Sequence, residues 1–103
     1  MVLPVAYPYN GHIWNQYTVR IPGKGRRDKL RERLTTRGIG TEIYYPVPMH
    51  LQPCFDPSPA ARPVIPVSER LAEEVLSLPV FPELTHAQRA EVIRAITECL
   101  SEV

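Results

Sequence analysis

Proline restricts this chain more than any other residue. There are twelve in 103 residues, and seven of them fall between Pro46 and Pro66. Each proline fixes φ and removes a backbone N–H, so it can neither donate to a sheet ladder nor sit inside a helix without cost. Regular structure must therefore lie on either side of that stretch. The stretch itself reads as a long ordered connection, not as a linker between two domains. The length leaves room for one small domain, residues 1–103, with a modest core.

A composition of 44% hydrophobic and 22% charged residues excludes a disordered or fibrous chain. No apolar run approaches the ~20 residues needed to cross a bilayer. The opening Met1-Val2-Leu3-Pro4-Val5-Ala6-Tyr7-Pro8 has no charged segment and meets two prolines at once, so a signal peptide is not expected. Cys54 and Cys99 are too few and too far apart for a disulfide scaffold or a zinc site, and they suit a reducing cytoplasm.

The small net charge conceals an asymmetry. Arg20, Lys24, Arg26, Arg27, Lys29, Arg31, Arg33 and Arg37 face only Asp28 and Glu32 within residues 20–37, and the rest of the chain is acidic. Such a block can attract phosphate or nucleic acid. It has no interleaved aromatic residue to stack on bases and no nucleic-acid-binding motif. A solvated helix face, or one meeting an acidic partner, is the simpler expectation.

Residues 12–21, His-Ile-Trp-Asn-Gln-Tyr-Thr-Val-Arg-Ile, are aromatic and β-branched and predict a strand. Alternation places Ile13, Tyr17, Val19 and Ile21 on one side, with Trp14, Gln16, Thr18 and Arg20 opposite. Pro22-Gly23-Lys24-Gly25 then makes a turn. Asp28 is the expected cap of a helix running to about Arg37, with Leu30 and Leu34 inward and Gly38 as its left-handed terminator. Residues 41–45, Thr-Glu-Ile-Tyr-Tyr, predict a second strand, parallel to the first after a right-handed crossover, with space between them for a third of opposite direction. Beyond the prolines, Val67, Leu71 and Val75 recur at helical spacing. Residues 76–80 suit a short strand that Pro79 confines to an edge or an end. Thr85-His86-Ala87-Gln88 is a capping box, followed by a helical stripe of Val92, Ile93, Ile96, Cys99 and Leu100.

Few residues suggest chemistry. His86 belongs to the capping sequence. His12 opens a strand and faces either solvent or a ligand. His50 lies in Tyr44-Tyr45-Pro46-Val47-Pro48-Met49-His50-Leu51-Gln52, a rigid loop that serves either for hydrogen-bonded packing or for ligand contact. Cys99 falls on an apolar stripe, Cys54 has no orienting partners, and Lys24 and Lys29 sit in the basic block. No catalytic constellation stands out.

The segment from Tyr44 through Gln52-Pro53-Cys54-Phe55 resembles the C-terminal small domain of DegT/DnrJ/StrS-type sugar-nucleotide aminotransferases, fold type I enzymes of the pyridoxal-phosphate class. His12-Ile13-Trp14-Asn15-Gln16-Tyr17 is similar to that domain's first strand. Arg27-Asp28-Lys29-Leu30 and Arg37-Gly38-Ile39-Gly40-Thr41 resemble its helix and glycine turn. Pro66-Val67-Ser68-Glu69-Arg70 and the residues from Leu76 to Thr85 resemble its closing segment.

The resemblance implies an α+β, two-layer small domain with a three- to four-stranded sheet flanked by about three helices. It also implies the substrate-closing lobe of an aminotransferase whose large domain, with the Schiff-base lysine, is absent. Neither lysine matches the catalytic motif, so pyridoxal phosphate is not expected on this chain alone. Tyr44, Tyr45, His50 and His12 become the expected substrate contacts, although relatives often carry His-Tyr-Pro where this chain has Tyr44-Tyr45-Pro46. The expected partners are a second copy, or a full-length aminotransferase or its large domain, with sugar nucleotide bound only in the intact enzyme. Neither membrane nor nucleic acid is an expected partner.

Overall fold

Strand β1, Tyr17–Arg20, pairs antiparallel with β2, Val75–Leu78, in the register Tyr17↔Leu78 to Arg20↔Val75. A computed structural model describes residues 1–55 and 62–103; Pro57 and Pro59 of the expected connection lie outside the described residues. Directly opposed residues share a face in an antiparallel pair, so Val19 and Leu76 are buried together, with Ile21 extending the same side. Thr18 and Ser77 meet on the other face through a 2.8 Å hydroxyl contact.

Among the described residues the sheet has two strands, fewer than the three or four expected. Single-residue antiparallel bridges extend it on both edges, Val2 to Arg20 and Glu42 to Ser77. The segment at Glu42 therefore runs parallel to β1 with β2 between them, as the crossover required. It goes no further: the next carbonyl on that side of β2, Val75, accepts from Arg27, and the Ile43 N–H turns to the Glu42 carboxylate. β2 is thus not an edge strand; Pro79 lies just past its end. Residues 12–16 also fall outside β1, and Ile13, placed by alternation on the side of Val19 and Ile21, is 81% exposed while those two are buried.

Helix α1, Arg26–Thr36, begins after Gly25 at φ 72° with no side-chain cap. Asp28, expected to cap it, lies within the first turn and pairs with Arg27 instead. Gly38 at φ 74° ends the helix as predicted, with the Ile39 N–H donating to Leu34 at 2.9 Å. After 3₁₀ turns at Met49–Leu51 and Pro53–Phe55 comes α2, Pro66–Glu74, which buries Ala72 and leaves Val67 57% exposed, contrary to the expected stripe. Helix α3, His86–Leu100, starts at the predicted capping box. Leu30 and Leu34 of α1 and Ala95, Ile96 and Cys99 of α3 close over Val19, Ile21 and Leu76, forming a second layer on one face of the sheet. The expected Ile93 lies outside this core, exposed on α3. Among the described residues, no helix is long and apolar enough to cross a membrane.

Candidate functional site

The chain leaves the sheet at Glu42. There the Glu42 N–H donates to Ser77 at 3.0 Å and the Ser77 N–H returns to Glu42 at 2.7 Å. Ile43 is still buried in the core; the next two side chains, Tyr44 and Tyr45, turn outward across a cis peptide bond. Their rings meet edge-on with centroids 6.1 Å apart. Tyr45 is 75% exposed and Tyr44 46%, and among the described residues neither hydroxyl has a hydrogen-bond partner.

Both tyrosines line a cleft of about 380 Å³ floored by Val47, Pro48, Met49 and Gln52 on one side and by Leu71 and Ala72 of α2 on the other. Tyr44 also borders a second, more polar cleft of about 390 Å³ with Asn15, Gln16, Thr41, Glu42, Ser77 and Phe81. It forms the partition between the two. The Thr41 hydroxyl is buried without a hydrogen-bond partner among the described residues. Asn15, Thr41 and Ser77 escaped the sequence reading as site residues; for Gln16 the only available signal was its place on the polar side of the first strand.

The expected histidines are not beside these tyrosines. The His50 side chain is only 10% exposed, and its Nε2 lies 3.0 Å from Glu69 Oε1. The same carboxylate oxygen accepts the Ile65 N–H at 2.9 Å. The backbone hydrogen bond, and after it the one from His50, hold the Glu69 carboxyl below its ordinary value. His12 is exposed and packs edge-on against Trp14, which leans on Tyr17. Neither His12 nor His50 lines either cleft.

The basic block is largely consumed internally. Arg20 holds Glu74 through two nitrogens, Arg31 lies 3.7 Å from Glu42, Arg33 pairs with Glu102 and Arg37 with Glu98. Arg26 donates to the carbonyls of Pro22 and Val103. Arg27 is buried, with its guanidinium on the carbonyls of Ala72 and Val75. These contacts leave few arginine heads for a phosphate chain. Among the described residues no group of three or more His, Cys, Asp or Glu could hold a metal ion.

A model of the DegT/DnrJ/EryC1/StrS aminotransferase family matches residues 2–97. The chain is 44% identical over 95% of its length to a pleiotropic regulatory protein of Geobacillus stearothermophilus. It is 41% identical over 98% of its length to a dTDP-3-amino-3,4,6-trideoxy-alpha-D-glucose transaminase of Streptomyces venezuelae. It spans about a quarter of each, 26% in both cases. Among solved structures, S. venezuelae DesV in complex with a ketimine intermediate superposes with a TM-score of 0.82 at 40% identity, covering 99% of this chain and 27% of that one. A family member from Brucella abortus gives 0.80 at 33% identity, covering 94% and 25%.

Neither lysine of the chain stands where it could hold the pyridoxal phosphate that the resemblance implies. A Schiff-base lysine has to reach into a cleft. Lys24 is exposed in the turn before α1, Lys29 is exposed on α1, and neither lines the tyrosine clefts.

Proposed function

The chain belongs to the DegT/DnrJ/EryC1/StrS aminotransferase family, and from that premise we propose that it forms the C-terminal, substrate-closing lobe of a sugar-nucleotide aminotransferase. Its 103 residues act as one domain covering one side of a cleft. The cofactor and its lysine are held elsewhere in the longer polypeptide, which in this family carries out a cytoplasmic biosynthetic reaction. By itself the chain binds no pyridoxal phosphate and is inactive.

The observation that supports this reading is the pair of tyrosyl hydroxyls, without a hydrogen-bond partner among the described residues, presented over a cleft by a segment that Pro46 and Pro48 stiffen. A tyrosine offers a flat apolar face to a sugar ring and a hydroxyl that both donates and accepts. Tyr45, the more exposed, meets a sugar hydroxyl. Tyr44, standing between the two clefts, tunes which sugar fits. Tyr45→Phe in the intact aminotransferase removes one hydroxyl and almost no volume. It should weaken turnover of the sugar nucleotide by about tenfold or more, the cost of a polar group of the substrate left unpaired. Unchanged kcat/KM would refute the assignment.

A second reading has its own support. Leu3, Leu78, Val80, Leu84, Val92 and Ile93 surround an apolar cleft of about 470 Å³, and one relative is described as a pleiotropic regulatory protein. In that reading the lobe is an interaction module, and this face meets a second copy or the large domain of a full-length aminotransferase. Tyr45→Phe then leaves association untouched. The basic block offers no comparable support for a phosphate or nucleic-acid binder, because its arginines are occupied internally.

A further inference from the structure

We propose that His50 and Glu69 form a latch that positions the tyrosine cleft, so that His50 serves the substrate without touching it. The reason lies in how residues 44–55 are held. Pro46, Pro48 and Pro53 contribute no amide donors, and the remaining backbone hydrogen bonds of the segment are local: Leu51 to Pro48, Gln52 to Met49 and Phe55 to Gln52. The last rung to the sheet is at Glu42. Beyond it, among the described residues, the bond between His50 and Glu69 is the one hydrogen bond that ties this segment to another element.

The geometry suits that task. A carboxylate only accepts, so Nε2 of His50 carries the proton it gives to Glu69. Glu69 lies in the first turn of α2, and its carboxylate is itself held by the Ile65 N–H at the helix start. The acceptor is therefore fixed before the imidazole arrives, which is the condition under which one charge-assisted hydrogen bond orients a loop. His50 follows Met49, and Met49 lines the cleft with Tyr44 and Tyr45. The opposite wall belongs to α2, the helix that carries Glu69. The latch thus spans both walls of the same cleft and sets its width.

The test uses this chain with ring-labelled tyrosine and the variants His50→Ala, Glu69→Ala, the double variant and Glu69→Gln. The single and double alanine variants should shift the Tyr44 and Tyr45 ring signals alike and speed amide exchange at Leu51 and Gln52 by about tenfold, with the β1 and β2 amides unchanged. Glu69→Gln keeps an acceptor for both donors and should restore most of the parent behaviour. Unmoved ring signals in His50→Ala, or effects that simply add in the double variant, would overturn the latch.

The link to turnover rests on the proposed sugar cleft, and the two can fail separately. In the intact aminotransferase His50→Ala should raise KM for the sugar nucleotide more than it lowers kcat. Shifted rings with unchanged kinetics would leave the latch standing and remove the cleft as the substrate site. A kinetic loss with unmoved rings would overturn the latch.

Discussion

Arg27 offers the sharpest test of how this fold is held. It comes from a block whose charge suggests solvent, yet only 7% of it is exposed. Its Nη1 donates to the carbonyls of Ala72 at 2.9 Å and Val75 at 3.0 Å, where α2 gives way to β2. The last carbonyls of a helix have no partner within it, so the guanidinium serves acceptors that would otherwise be buried and unpaired. Replacing Arg27 by Met keeps most of the stem and deletes the head.

Two hydrogen bonds from a charged donor are lost, each worth about 1.5–3 kcal/mol. The saving from no longer burying a cation offsets part of that. The Asp28 carboxylate on the other nitrogen is mostly exposed, and its share is about 0–1 kcal/mol. The expected net loss is about 2–4 kcal/mol, which in a chain of this size lowers Tm by roughly 10–20 °C. Urea and thermal unfolding followed by far-UV circular dichroism measure it, with Lys29→Met, an exposed position on the same helix, as the control expected within about 0.5 kcal/mol. If Arg27→Met unfolds with the control, the carbonyls are served in another way and the argument fails.

Two smaller perturbations probe the ends of helices. Thr85→Ala removes the acceptor of the Gln88 N–H and breaks the reciprocal box with Gln88 Oε1; unfolding should be easier by about 0.5–2 kcal/mol, and an unchanged midpoint would mean the cap is idle. Glu69 is held below its ordinary value first by the Ile65 N–H and then by His50. Its stabilising effect is therefore fully present above the unfolded glutamate value of about 4.3 and is lost as pH falls through the lower folded value. Glu69→Gln should flatten that part of the acid unfolding profile, and an unaltered profile below about pH 4 would contradict the assignment.

What could be read from the sequence divides by the range of the interaction that fixes each element. The capping box at Thr85 and the left-handed Gly38 were legible because their partners lie within four residues. The alternation of Tyr17, Val19 and Ile21 was legible for the same reason, as it needs only a period. Residues 12–16 share that aromatic and β-branched character but have no strand opposite them among the described residues, and pairing is a property of the partner, which propensity does not report. At Glu42 the partner exists, but the next carbonyl on β2, Val75, is taken by Arg27, so a predicted strand shrinks to a bridge.

The inner face of α2 was misread for a different reason. Periodicity counts large apolar residues, whereas the buried one is Ala72, whose carbonyl receives the Arg27 guanidinium. Arg27 was within reach of the sequence. It stands three residues before Leu30 and seven before Leu34, on the inward stripe of α1, but a tally of charge ignores which way a helix turns. The candidate cleft obeys the same logic. Tyr44 and Tyr45, singled out in the sequence, line it together with their sequence neighbours Val47, Pro48 and Met49. The partner of His50 lies nineteen residues away across the proline-rich connection. No local pattern marks that pair, which fastens His50 to the helix that forms the opposite wall of the cleft.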